Sequence, residues 1–253
     1  MSGPLPLSLC VITRDAAGEI ADCLASAAFA GEVIVVDSGS RDDTVESARR
    51  RGARVIERDW PGYGAQKNFA VGAAAHDWVL CLDADERVTP EMAASIASTI
   101  AAPRAAAYAF ARRNRFLGRW LAHGEGYPDW NVRLFDRRRA RWSDDAVHEH
   151  VIADGPVARL PGDLLHASAE SLDAYLAKQN RYTTLQAEAM HARGERAGPL
   201  RLVFAPVARF FRFYFLKLGF LDGVPGLVHV AIGCQNSFLK YAKLRALQAG
   251  QGR

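Results

Sequence analysis

The sequence predicts an α/β fold in its first half, with a mainly parallel central sheet flanked by helices. Short apolar segments rich in β-branched residues alternate with segments of helical periodicity, and the connections between them are short. Strands that alternate with helices in this way pair in parallel through right-handed crossovers. The C-terminal third is different, because it is helical, apolar and aromatic and predicts an amphipathic helical extension. With 253 residues, the chain is long enough for one domain with an appendage.

The elements predicted for the first hundred residues alternate regularly along the chain. The predicted strands are Leu7–Ile12, Glu32–Val36, Arg54–Glu57 and Trp78–Leu82. The predicted helices are Glu19–Ala28, Thr44–Arg51, Gly64–Ala74 and Glu91–Ile100. Asp42 or Asp43 can cap the second helix, and Pro90 lies where the first position of the fourth helix is expected.

The middle of the chain predicts short strands with polar and aromatic loops between them. These strands are Ala106–Ala111, Asn131–Phe135, Ala140–Trp142 and Val147–Val151. Several glycines and aromatic residues crowd the segment 118–130, which is typical of an irregular functional loop. A long helix is expected over Leu172–Arg193, with Ser171 as its cap.

The C-terminal segment has the pattern of a helix at a membrane surface. Pro206–Leu221 is apolar and aromatic, and its three basic residues, Arg209, Arg212 and Lys217, roughly share one helical face. The same pattern also suits a helix packed on the domain, with its arginine stems lying along apolar surface. Val224–Leu247 extends the pattern. Since the sequence has no run of about 20 apolar residues, surface association is expected rather than a span.

Charge, cysteines and the N-terminus indicate the compartment and the partners. The net charge of +4 is not by itself a nucleic-acid signature, so no nucleic acid is expected as a partner. Two arginine clusters, at 112–119 and 137–141, are either solvated faces or a basic rim for phosphorylated substrate or anionic headgroups. The four cysteines form no CxxC motif and suit a reducing cytosol. No signal peptide is recognisable, which favours a cytoplasmic location.

Asp83-Ala84-Asp85-Glu86 is the most informative motif of the chain. Asp83 and Asp85 follow a buried strand and project the same way from an extended backbone. Two such carboxylates suit Mg²⁺ or Mn²⁺ carrying a nucleotide diphosphate, although an isolated motif of this kind is often only a solvated acidic turn. The polar segments 13–15 and 37–40 also follow strands, so the three segments are expected to line one crevice. The sequence contains no GxGxxG fingerprint, Walker loop or GxSxG elbow.

Together these segments resemble the family 2 glycosyltransferases of the GT-A fold. The residues that carry the resemblance are Ile12–Asp15, Val33–Thr44 and Asp83–Glu86. The likeness is closer to the WaaE-type lipopolysaccharide core glucosyltransferases and covers nearly the whole chain. It extends over Gly64–Asn68, Leu82–Pro90, Arg112–Arg119, Val132–Phe135, Ser143–Glu149, Gly162–His166, Lys178–Tyr182 and Leu239–Lys243. Two positions depart from the pattern: Asp15 replaces a frequent Asn, and Ala146 a frequent Pro.

The resemblance implies inverting transfer of a hexose, with glucose from UDP-glucose expected, to a lipopolysaccharide inner-core or other lipid-linked sugar hydroxyl. It implies that Asp37 holds uracil or ribose and that Thr13 and Arg14 line the base pocket. Lys67 is expected on the base or phosphate side. Asp83 is expected to contact ribose or the metal.

The resemblance also implies a divalent metal, Mg²⁺ or Mn²⁺, and a general base. Asp85 is the expected metal ligand, and His166 is either a further ligand or a structural residue. Inverting transfer to a hydroxyl needs a base, for which Glu149 and Asp145 are preferred and His148 is next.

The expected domains are a nucleotide-sugar and acceptor domain over residues 1–168 and a membrane-associating helical extension over residues 169–253. The enzyme is expected on the cytoplasmic face of the inner membrane. Two alternatives stay open. A polyprenyl-phosphate sugar transferase would use a phosphate acceptor and need no base, and a non-catalytic nucleotide-sugar or lipid-binding scaffold would release no UDP.

Overall fold

The computed structural model describes residues 3–145, 149–167 and 171–250, which form two compact units. Unit 1 comprises the described residues up to Arg112 together with Asp129–Ala167. Unit 2 comprises Arg113–Pro128 and the described residues from 171 onward. The predicted domain boundary between residues 168 and 169 lies outside the described residues, and the segment Arg113–Pro128 groups with the C-terminal helices.

Unit 1 is built on a mixed sheet, and the predicted α/β class is confirmed. The strands are β1 (Leu5–Thr13), β2 (Ala30–Asp37), β3 (Arg54–Glu57), β4 (Trp78–Asp83), β5 (Glu86–Val88), β6 (Ala107–Phe116), β8 (Asp129–Asp136), β9 (Ala140–Trp142), β10 (Val151–Ala153) and β11 (Val157–His166); β7 (Arg119–Trp120) lies in unit 2 and pairs with the end of β6. The helices are α1 (Ile20–Ser26), α2 (Thr44–Arg50), α3 (Tyr63–Gly72) and α4 (Pro90–Ala101). The order in the main sheet is β3-β2-β1-β4-β8-β6-β11-β5. The first four strands are parallel, and β8 joins β4 in antiparallel orientation.

The apolar run of β1 is explained by burial on both faces of the sheet. Leu7, Leu9 and Val11 belong to one buried cluster, whereas Cys10 and Ile12 belong to a second cluster. Because side chains of a strand alternate between faces, a strand covered on both sides is apolar at most positions, and Ser8 is the buried polar exception between Leu7 and Leu9.

Register brings three strand ends to one edge of the sheet. Thr13 at the end of β1 is opposite Asp37 at the end of β2, and Ile12 is opposite Asp83 at the end of β4. The carboxyl ends of parallel strands face the crevice in which open α/β sheets bind ligands.

Two strands of this sheet, β5 and β11, differ from what the sequence predicts, because neither has a clear strand pattern. β5 has only three residues, too few to show an alternation of apolar and polar side chains. In β11, Pro161-Gly162 interrupts the sequence pattern that is typical of a strand. They pair in antiparallel orientation, with His166 opposite Glu86. Gly162, at φ +94°, lets β11 pass the start of α4, since a Cβ there would lie 2.2 Å from Met92 N.

Unit 2 is mainly helical. Its helices are α5 (Leu172–Ala192), α6 (Pro199–Phe210) and α7 (Gly223–Gly250), with a π-helical turn over Phe211–Leu216 and a 3₁₀ turn over Gly219–Asp222. Ser171 caps α5 as predicted, because its hydroxyl accepts a hydrogen bond from Ala174 N.

The single helix predicted over Pro206–Leu221 is wrong, because the chain breaks where Leu218 adopts φ 56°. Within the part of the chain that the structure describes, no single helix has the length and apolarity to cross a membrane. One pair bent by 72°, Pro199–Leu216 with Gly219–Gly250, meets those two criteria when taken together.

Candidate active site

Helix α3 anchors the candidate site through Gly64, Lys67 and Asn68. Gly64, Lys67 and Asn68 share one helical face because they are three and four positions apart. Asn68 donates from Nδ2 to Trp142 O and accepts from Trp142 N, both at 2.9 Å. Gly64 lets Ser143 O approach, since a Cβ there would lie 2.0 Å from that oxygen. α3 therefore fixes the backbone at residues 142–143, directly before the predicted base candidates.

Lys67 links two of the predicted site residues. Its buried ammonium lies 3.1 Å from Asp83 Oδ1 and 2.9 Å from Glu149 Oε1. The Trp142 ring covers it at 4.4 Å from the ring centroid. Burial acts to lower the pKa of Lys67, but the Asp83 and Glu149 carboxylates outweigh it and raise that pKa above its ordinary value. Lys67 is therefore a fixed cation at this edge of the sheet.

Asp83 lies between two cations. Its Oδ1 faces Lys67, and its Oδ2 lies 3.2 Å from Arg133 Nη2. Burial acts to raise the pKa of Asp83, but the two cations hold it well below its usual range. Both carboxylate oxygens are engaged by these cations, which leaves Asp83 less suited to a metal than the sequence predicts.

The sequence predicts no site role for Arg133, although this residue lies in the motif Val132–Phe135. Its Nε donates to Glu86 Oε2 at 2.8 Å, and its Nη2 donates to Glu86 Oε1 at 2.7 Å. Glu86 is fully buried and also accepts a hydrogen bond from Asp83 N at 3.1 Å. The last acidic residue of the motif is therefore structural, because it positions Arg133 and the Asp83 backbone.

Asp85 and His166 come together at the same edge. His166 Nε2 lies 3.1 Å from Asp85 Oδ2. The strand pair β5–β11 produces this contact, and Ala167 N donates to Asp85 O at 3.0 Å. Both side chains are partly exposed. The structure thus brings together two of the three residues predicted as metal ligands, the third being Asp83.

The predicted nucleotide residues at the ends of β1 and β2 differ in their surroundings. Asp37 is buried, and its Oδ2 accepts hydrogen bonds from Gly39 N and Ser40 N at 2.9 Å, so its carboxylate shapes the turn after β2. Thr13 Oγ1 is buried and has no hydrogen-bond partner among the described residues. Arg14 is exposed and lies 3.6 Å from Asp15. Thr13 is therefore the one of these groups that still needs a partner.

Ser143 and His150 pair with each other at the two ends of the loop that holds the candidates for the general base. Ser143 N donates to His150 O at 2.8 Å, and His150 N donates to Ser143 Oγ at 3.1 Å. Glu149, whose side chain is 18% exposed, points to Lys67. Asp145 is 53% exposed and pairs with His150 Nδ1 at 3.3 Å. His148 lies outside the described residues.

The chain resembles known proteins over most of its length. The family model described as Glycosyl transferase family 2 matches residues 8–152. The lipopolysaccharide core biosynthesis glycosyltransferase LpsC of Rhizobium meliloti (strain 1021) is 30% identical over 257 residues, which cover 98% of this chain and 95% of the relative. An uncharacterized glycosyltransferase of Rickettsia felis is 31% identical over 252 residues, which cover 94% of this chain and 89% of the relative. The crystal structure of S. aureus TarS 1-349 with UDP-GlcNAc aligns with a TM-score of 0.49 and 15% identity, over 97% of this chain and 92% of that one.

Proposed function

Because the chain belongs to glycosyl transferase family 2, we propose that it transfers a hexose, glucose from UDP-glucose, to a sugar hydroxyl with inversion at the anomeric carbon. The chain is a glycosyltransferase with the GT-A fold, as the sequence predicts. The main structural support for the proposed inverting transfer is the contact of Lys67 with both Asp83 and Glu149. This contact lies at the edge of the sheet where three parallel strands end.

The proposed acceptor is a lipopolysaccharide inner-core saccharide or another lipid-linked sugar. The near full-length likeness to LpsC, whose name assigns it to lipopolysaccharide core biosynthesis, supports this class of acceptor. The proposed location is the cytoplasmic face of the inner membrane. Exposed apolar side chains in unit 2 support it: Leu200, Phe204, Phe211, Phe215 and Leu216, called here the tail surface.

Asp85 and His166 are the residues we propose to hold a divalent metal. Among residues 3–145, 149–167 and 171–250 no three His, Cys, Asp or Glu side chains form a metal-binding group, so diphosphate oxygens and water would complete the coordination. A carboxylate with an imidazole suits Mn²⁺ better than Mg²⁺, which favours oxygen ligands. When bound, the metal would neutralise charge on the departing diphosphate.

Glu149 is the proposed general base. Its Oε1 accepts a hydrogen bond from Lys67 Nζ at 2.9 Å, and this contact fixes the position of the carboxylate. We propose that Oε2 takes the proton of the acceptor hydroxyl as its oxygen attacks the anomeric carbon, while the bond from that carbon to the diphosphate breaks and UDP leaves. Asp145 is the second candidate, because it is more exposed and pairs with His150 instead.

The donor side of the proposal is tested with Asp85→Asn. UDP with MnCl2 is expected to raise the Tm of the wild type, since a ligand at a hundredfold of its Kd stabilises by about 2.7 kcal/mol. Asp85→Asn is expected to lose the manganese-dependent part of that shift and at least about a hundredfold of UDP-glucose turnover. Asp154→Asn, an exposed change in unit 1, is the matched control and should behave as the wild type. Unchanged manganese-dependent turnover in Asp85→Asn would contradict the proposed role of Asp85 as a metal ligand.

A further inference from the structure

Unit 2 contains a polar cavity of about 330 Å³ that shares no lining residue with the candidate active site. Its walls come from α5, from α7 and from the ion pair of Glu125 with Arg209. Each of its lining residues has a polar side chain. A cavity of this size with polar walls, partly open to solvent, is unusual between packed helices, which ordinarily meet through apolar stripes.

The polar wall on α5 is one continuous helical stripe. Its members are Gln179, Tyr182, Thr183 and Gln186. They follow the spacing of three, four and seven positions that places residues on one face of a helix. Across from them, Asn236 of α7 donates from Nδ2 to Gln179 Oε1 at 2.8 Å. The stripe therefore faces α7 where apolar side chains would be expected.

Helix packing does not require these polar groups. Further along the same two helices, Ala187, Met190 and Leu244 form a buried apolar cluster that holds α5 and α7 together. Lys243 Nζ adds hydrogen bonds to Asn180 and Thr183 of α5. Since this apolar cluster already joins the two helices, the cavity beside it, which is lined by polar side chains, suits a polar ligand.

The ion pair forms a neutral wall. Arg209 donates from Nε to Glu125 Oε2 at 3.0 Å and from Nη2 to the other carboxylate oxygen. Gly233 of α7 makes room for the pair, because a Cβ there would lie 2.3 Å from Glu125 Oε2. With Arg209 and Glu125 compensating each other, Lys240 gives the lining a net positive charge.

We propose that this cavity binds a saccharide unit, with preference for one that bears a carboxylate. Sugar hydroxyls both donate and accept hydrogen bonds, and the amides of Gln179, Gln186 and Asn236 do the same. Tyr182 adds an aromatic ring to the lining, and Lys240 is the cation left for a ligand carboxylate once Arg209 pairs with Glu125. A lipid chain would need apolar walls, and a diphosphate would favour several cations. This site goes beyond the proposed transfer reaction, because it recognises a sugar with residues of unit 2 alone.

The test measures binding to the full-length chain by NMR saturation transfer and titration, with no donor sugar present. The probes are methyl β-D-glucopyranoside and its uronic acid analogue, in excess UDP so that the proposed donor site is occupied. The wild type is expected to bind both probes and to prefer the uronic acid at least threefold. Gln186→Leu combined with Lys240→Met is expected to weaken uronic acid binding at least tenfold. Gln235→Leu, an exposed change on α7 outside the lining, is the control and should stay within twofold.

Three outcomes would overturn the inference: no binding of either probe, equal affinity in the double variant and the wild type, or tighter binding of inorganic phosphate than of the uronic acid. Should the double variant unfold, Lys240→Met alone keeps the test decisive, because it should erase the preference for the uronic acid and retain the neutral glycoside. Because the test measures binding and not turnover, its result can be interpreted even if the proposed transfer activity is disproved.

Discussion

Lys67 holds together two carboxylates that would otherwise repel each other. Asp83 comes from the end of β4 and Glu149 from a loop much later in the chain, yet both lie within 3.1 Å of one ammonium group. Arg133 adds a second cation on the far side of Asp83. At the scale of single residues, the site is therefore a chain of alternating charges, and the two cations lower the pKa of Asp83.

Asp83→Asn tests this chain of charges through the pH dependence of stability. The pKa of Asp83 is lower in the folded protein than in the unfolded chain, so its contribution is complete above about pH 4 and is lost as the pH falls further. The variant should lose about 2 kcal/mol at pH 7, less than for a fully buried pair because the side chain is 32% exposed. In urea unfolding at pH 7, 4 and 3, the difference from wild type should shrink toward pH 3. Asp77→Asn, which removes an exposed ion pair with Arg138, should cost under about 0.5 kcal/mol.

Glu149→Gln separates the two candidate bases. The amide of the glutamine keeps an oxygen that can accept a hydrogen bond from Lys67, but it cannot take the proton of the acceptor's hydroxyl group. We therefore expect kcat to fall about 10²- to 10⁴-fold while the affinity for UDP stays unchanged. Asp145→Asn should keep kcat within about threefold, because Asp145 pairs outward with His150. UDP release with a delipidated core acceptor measures both. The opposite ranking would move the base to Asp145, and full activity in both variants would favour a phosphate acceptor that needs no base.

At the scale of elements, the sequence predicts what is local and misses what depends on distant partners. The alternating strands and helices of the first half follow from apolar runs and helical periodicity, and the structure matches them within a few residues. Arg133 reads in the sequence only as a polar position of a strand, since its partner Glu86 is 47 positions away. Likewise, β5 is too short for any pattern, so the contact of Asp85 with His166 emerges only from the pairing of β5 with β11.

Gly64→Ala tests whether α3 positions the base loop. The added Cβ would meet Ser143 O at 2.0 Å, so either α3 or the loop must shift, at a cost of about 2 kcal/mol. The control is Gly72→Ala at the end of the same helix, where a Cβ meets nothing within 4 Å. That change should be neutral or stabilise by up to about 1 kcal/mol. Urea unfolding and UDP-glucose turnover measure both variants, and equal behaviour of the two would contradict the positioning role.

At the scale of the whole molecule, the basic residues of the C-terminal segment divide into two roles that the sequence does not distinguish. Arg209 is bound to Glu125, so it is withdrawn from any membrane surface. Arg212 and Lys217 lie within and just after the π-helical turn that carries Phe211, Phe215 and Leu216. The surface proposed to meet lipid is thus smaller than the predicted basic face, with two cations beside exposed apolar side chains.

This division predicts how the protein binds vesicles. Wild type should sediment with vesicles containing phosphatidylglycerol and less with pure phosphatidylcholine, and added salt should weaken the binding. Leu216, which is 79% exposed, and Phe204, which is 63% exposed, belong to the tail surface, so Phe204→Ser combined with Leu216→Ser should reduce binding at least about tenfold. Arg212→Gln combined with Lys217→Gln should remove the preference for anionic vesicles, since each basic residue contributes about 1 kcal/mol near such a surface.

The control for both double variants is Ile152→Ser, an exposed apolar change in unit 1, which should leave sedimentation unchanged. Undiminished vesicle binding by both double variants would reject the membrane role of the tail surface, because neither its apolar side chains nor its cations would then contribute.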